Sequence, residues 1–178
     1  MNKCRLSCFF PSLGLVLLFM QCQQPASKQN QSQESREVVQ KSPVSTTADT
    51  SLVAVLRIDS IASLSDSLFM VFKVYNPSPD TLRFTQYHTP FEGFLNNFLT
   101  VTDEQGQEIP YRGAMAKRVM PPPEETYCTV APSASDSIRF SLLKGYAITK
   151  PGLYTIEYNA GNVSGMSNGH PVRVNIIP

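Results

Sequence analysis

From Ser51 onward, apolar residues recur at every second position. Leu52, Ala54, Leu56 and Ile58 fall on one side of the chain, with Val53, Val55, Arg57 and Asp59 on the other. Leu68, Met70, Phe72 and Val74 form a second such row, opposed by Lys73 and Tyr75. A period of two belongs to a strand, whose successive side chains point to opposite faces. Short runs at Thr81–Thr85 and Phe98–Thr102 read as further strands. Three later rows repeat the alternation: Ile138, Phe140 and Leu142; Tyr154, Ile156 and Tyr158; and Val172, Val174 and Ile176. Half-buried antiparallel strands produce this pattern, and no segment offers ten residues of helical periodicity with caps. The expectation is an all-β fold, an immunoglobulin-like antiparallel β-sandwich of seven to nine strands.

Turn chemistry punctuates the rows. Asn76-Pro77-Ser78-Pro79-Asp80 and Asp103-Glu104-Gln105-Gly106 are turn clusters, because Pro presets φ, Asn and Asp bond nearby backbone, and Gly accepts positive φ. Gly152-Leu153-Tyr154 fits a tyrosine corner, whose phenol bonds a backbone group upstream. The longest connection, Tyr87 to Asn97, holds Pro90 and Gly93 as shaping residues. Phe91, Phe94 and Leu95 are expected to tuck it onto the sandwich, and Glu92 to bond nearby N–H groups or pair with Arg112, Lys117 or Arg118.

The first fifty residues follow other rules. Lys3 and Arg5 precede an uncharged run from Leu6 to Met20, shorter than the ~20 residues a membrane-spanning helix needs. It ends at Cys22, so 1–21 reads as a lipoprotein signal peptide and Cys22 as the lipid attachment site, although Phe19 and Gln21 depart from the usual pattern before the cysteine. Residues 22–50 are rich in Gln and Ser and poor in apolar side chains. Such a segment buries too little apolar surface to offset its ordering entropy, so it reads as a disordered tether for a domain spanning 51–178. The assignment makes the chain an exported cell-envelope lipoprotein, placed at the outer membrane and facing the periplasm.

Of four cysteines, only Cys128 falls in the domain, which leaves no disulfide to form within it. Lys and Arg number 15 against 14 Asp and Glu, and removing Lys3 and Arg5 leaves 13 against 14. With no basic stripe, nucleic acid is not expected as a partner. No His-Glu-x-x-His pair or cysteine pair suggests zinc, so no metal, cofactor or catalytic residue is assigned. Gly165-Met166-Ser167-Asn168-Gly169 matches the nucleophile-elbow spacing. The elbow needs a strand before the serine and a helix after it, and Pro171 with the following β pattern excludes the helix.

The ordered series Thr89-Pro90-Phe91-Glu92-Gly93, Leu99-Thr100-Val101, Tyr111-Arg112-Gly113, Lys117-Arg118, Pro121, Ala131-Pro132, Tyr146 and Gly152-x-Tyr154 resembles the N-terminal, propeptide-like domain of deuterolysin-type zinc metallopeptidases. The likeness spans about residues 51–160. In that family a catalytic domain follows the sandwich, whereas here the chain closes on a last strand. The resemblance therefore implies the accessory module without the protease, a protein partner that includes a protease among its candidates, and no catalytic residue to carry over. Small bacterial β-sandwich proteinase inhibitors are a looser likeness. Thr89, Pro90, Glu92, Gly93, Tyr111, Arg112, Gly113, Lys117 and Arg118 are the candidate partner-binding residues. The expected role is a lipid-anchored, non-catalytic binding module. Alternatives are a structural envelope lipoprotein or an enzyme with an unrecognised site.

Overall fold

The computed structural model describes residues 51–178. The signal segment, Cys22 and the tether lie outside the described residues. Ten strands and three short 3-10 turns make up the domain, with no α-helix among the described residues. The strands are β1 Val53–Ile58, β2 Ile61–Ser63, β3 Phe69–Tyr75, β4 Leu82–Thr85, β5 Leu99–Thr102, β6 Tyr127–Val130, β7 Ser135–Ser141, β8 Gly152–Tyr158, β9 Ser167–Asn168 and β10 Val172–Ile177.

Two four-stranded sheets face each other, in the orders β7-β3-β1-β9 and β2-β10-β8-β5, beside a two-stranded β4-β6 sheet. The core lies between them, and the sequence rows fill it. Ala54, Met70, Phe72 and Val74 from one sheet meet Leu99, Val101, Tyr154, Ile156, Tyr158, Val174 and Ile176 from the other, all buried. Phe72 packs edge-on against Tyr158, with ring centroids 5.1 Å apart. The architecture is thus the β-sandwich that the alternation implies.

Three details differ from the sequence expectation. The strand count is ten, because β2 and β9 are too short to show an alternation and β6 follows a proline run. Leu142, the last member of its apolar row, starts a 3-10 turn, yet it is still fully buried. The sheets are not wholly antiparallel. The first strand divides after Ile58, so that β1 runs parallel to β9 in one sheet and β2 parallel to β10 in the other. Alternation specifies which face is buried and is silent on strand direction.

The turns form as their residues dictate. Asn76 is fully buried; its Nδ2 donates to the carbonyls of Asp80 (2.7 Å) and Val130 (2.9 Å), and its Oδ1 accepts from Ser78 N–H. Asp103 Oδ1 accepts from the Gln105 and Gln107 N–H groups, while Gly106 takes φ +75°. Tyr154 Oη donates to Lys150 O at 2.8 Å, which closes the tyrosine corner. Ser167 lies in β9 against Leu52, with no helix after it, so the Gly-x-Ser-x-Gly match is a strand-edge loop. Cys128 is buried in β6, where Gln86 Nε2 lies 3.4 Å from its Sγ.

Candidate functional site

Two segments meet at one end of the sandwich: the loop after β4 and the strap that follows β5. The loop begins with Thr89, which is fully buried and accepts from Phe91 N–H through its Oγ1. This caps a 3-10 turn over Pro90–Glu92, with Pro supplying the preset φ at its first position. Two residues take positive φ around it: His88 at +58° and Gly93 at +79°. Phe91 drives the loop into the core, 5.3 Å from the Phe84 ring. Phe94 stacks on Phe98 at 5.4 Å and meets Phe140 and Tyr146 edge-on. Leu95 does not tuck in as expected; it is one of the exposed large apolar residues.

The strap is fastened by backbone. Arg112 N–H donates to Gly145 O, Ala147 N–H to Pro110 O, Ala114 N–H to Phe94 O and Ala116 N–H to Leu95 O. Tyr111 lays its ring on Tyr146, with centroids 5.5 Å apart, and donates through Oη to Ala114 O. Burial pushes the Tyr111 phenol above its ordinary range, and the Glu92 carboxylate adds to the rise. Gly113 sits where a Cβ would fall 2.1 Å from Tyr111 Oη and 2.9 Å from Phe94 Cβ.

Glu92 joins loop to strap. One carboxylate oxygen accepts from His88 N–H at 3.0 Å; the other lies 2.6 Å from Arg118 Nη2. The side chains are 8% and 15% exposed, respectively. The Arg118 contact is close but off the N–H axis, so neither Nη2 nor Nε makes a directional hydrogen bond. The guanidinium instead spreads over the Tyr87 ring, 4.8 Å from its centroid. Of the three cations that the sequence offers Glu92, the one that meets it is Arg118. Its half-buried position under Tyr87 could not be read from spacing.

The nine sequence candidates separate by what they touch. Thr89, Pro90, Glu92, Tyr111, Gly113 and Arg118 are turned inward or packed on one another, and Gly93 serves the turn. Arg112 and Lys117 project to solvent. Between and beyond these two cations the strap exposes Met115 (69%), Val119 (68%) and Met120 (60%). This apolar stretch was not singled out by sequence reasoning, since unpatterned apolar residues in a loop give no periodic signal. Among the described residues, no three His, Cys, Asp or Glu side chains gather as metal ligands.

No family model and no curated protein matches the chain. Among solved structures, it is similar to the CARDB domain of a Pyrococcus furiosus protein in complex with di-metal ions, at 12% identity and TM-score 0.33, covering 71% of this chain and 87% of that one. The yjhA protein from Bacillus subtilis gives 12% identity and TM-score 0.34, covering 71% and 93%. A beta-glucosidase from Listeria innocua in complex with glucose gives 10% and 0.31, with 70% of this chain set against 16% of that enzyme. Superpositions this loose transfer no ligand, activity or residue role.

Proposed function

We propose that this chain is a lipid-anchored, non-catalytic β-sandwich binding module of the bacterial cell envelope. It would attach through Cys22, sit at the outer membrane facing the periplasm, and engage a protein partner. The deuterolysin-propeptide resemblance favours a protease that the module restrains or escorts. A structural lipoprotein that only spaces an assembly is the second reading, and loss of the partner contact by point substitution distinguishes the two.

The observation that carries the reading is the strap. Its backbone is pinned by four main-chain bonds and the Glu92–Arg118 contact, yet it holds Met115, Val119 and Met120 in solvent beside Arg112 and Lys117. Exposed apolar side chains grouped on a fixed scaffold mark interaction surfaces, and Met and Arg are enriched at interface cores.

Crosslinked pull-down from native membranes tests this with two substitutions. Arg112→Ala is expected to melt like the parent and recover less partner. Arg118→Ala is expected to lose about 1–3 kcal/mol of stability, because it leaves the Glu92 carboxylate enclosed without its cation. Unchanged recovery with Arg112→Ala and with Met115→Ser would remove the strap from the binding surface.

A further inference from the structure

The longest open sheet edge among the described residues is β7. In the other sheet, β5 is covered, since Ile109 N–H donates to Val101 O and Thr102 bridges Glu108, and β2 has three residues. On the β7 side, β9 has two residues at the far edge, whereas β7 runs for seven and pairs only with β3. The bonds flanking β7 fix which of its groups point outward. Asn76 N–H donates to Ala134 O and Leu142 N–H to Leu68 O, so even-numbered residues face β3. The odd ones turn their main-chain groups away from the sheet; Ser135, Ser137 and Arg139 are exposed, and Ser141 at the end of the strand is buried. Arg139 makes no main-chain bond on that side. Ser137 N–H donates to the neighbouring Asp136 carboxylate at 2.7 Å.

A groove of about 590 Å³ runs along this edge, between β7 and the Pro90–Phe94 loop. Pro90, Phe94, Ile138 and Phe140 give its lining apolar atoms, and Gln86, Glu92 and Ser141 give it polar ones. On the outer face Arg139 stacks its guanidinium over Phe69, 3.7 Å from the ring centroid, and Lys144 lines the groove. Neither cation has a carboxylate partner among the described residues, whose ion pairs are Arg83–Glu124 and Glu92–Arg118.

We infer that β7 takes up an extended segment of a partner protein as an added strand, with apolar side chains facing in and carboxylates facing out. Added strands are held by main-chain bonds and read through alternate side chains. The pleat places every second incoming side chain beside Ile138 and Phe140, and the ones between beside Arg139. A second copy of this chain would bring another Arg139 and Lys144 to the same place, and like charges disfavour it. The inference deepens the binding-module reading and rests on it, but uses a different face from the strap.

The test uses the full chain, isotope-labelled, with two acetylated seven-residue probes: one alternates valine with glutamate, the other valine with lysine. Shifts at the Ser137 and Arg139 amides are expected with the glutamate peptide, which should bind about three- to tenfold tighter than the lysine one, the range of one or two exposed charge pairs. Arg139→Glu, which leaves the backbone intact, should reverse the preference. Arg139→Pro, which removes an N–H that β3 does not use, should abolish binding by both. No shift at β7 at millimolar peptide, an unchanged preference in Arg139→Glu, or self-association of the chain in place of peptide binding would overturn the inference. In the membrane pull-down, partner lost by Arg112→Ala but kept by Arg139→Glu would refute the added strand alone and leave the module reading standing.

Discussion

Tyr146 carries two tasks in one side chain. Its Oη accepts from Leu99 N–H at 2.9 Å and donates to Asn97 Oδ1 at 2.8 Å, which fixes the start of β5. Burial raises the phenol well above its ordinary range, and the Leu99 contact offsets only part of that. Tyr158 is raised for the same leading reason. Below pH ~10 both phenols are neutral in folded and unfolded chains, so the folded state keeps its full advantage. Above that, the unfolded chain ionises first and stability falls until the folded phenols titrate too. Urea midpoints should therefore fall as pH rises from about 10 upward, and Tyr146→Phe should flatten the fall while costing ~1 kcal/mol at neutral pH through the lost bonds. An equally steep decline in the variant would remove Tyr146 from the effect. Much at this scale is legible in sequence. Asn76, Asp103 and Tyr154 act as their types and neighbours imply, because each answers a local backbone need. Arg118 is not legible in this way, since its partner lies across two loops.

Elements show the same division. Rows of seven strands can be read from alternation, for burial on one face is the property that alternation encodes. Phe72 is fully buried, as its row implies. Strands without a row, β2, β6 and β9, exist through tertiary pairing, and nothing in Ile61-Ala62-Ser63 or Ser167-Asn168 announces the two shortest. The strap between β5 and β6 depends on a contact equally hidden in sequence. At Gly145 a Cβ would stand 2.0 Å from Phe94 Cε1, and the Phe94 ring is hemmed in by Phe98, Phe140 and Tyr146. Gly145→Ala should cost about 1–3 kcal/mol by displacing that ring. Thermal melting checks this, and hydrogen exchange should localise the loss to Ala114 and Ala116, whose N–H groups donate to the Phe94 and Leu95 carbonyls. A melting point equal to the parent's would mean that the ring has room to move. The candidate site was thus half visible in sequence: its residues can be named, but which face inward and which outward follows from packing around Phe94.

At the scale of the whole molecule, the proposed anchor at Cys22 can be tested apart from the domain. Metabolic labelling with a palmitate analogue should mark the parent chain and not Cys22→Ser, each buried CH₂ of acyl chain adding ~0.8 kcal/mol to membrane binding. Equal labelling of both, or none in either, would defeat the anchor.

The division of the first strand gives the fold a mechanical character. β2 and β10 lie near opposite ends of the domain sequence and run parallel, with Asn175 beside Ile61, Ile176 beside Ala62 and Ile177 beside Ser63. If the domain is held at its amino end while load is applied at Pro178, the two strands are drawn along each other in opposite directions. Their rungs, together with the Leu64 N–H bond to Ile177 O and the Asn175 N–H bond to Ser60 O, then strain together rather than one after another. Loaded in that way, the β2–β10 seam would resist through all its bonds at once.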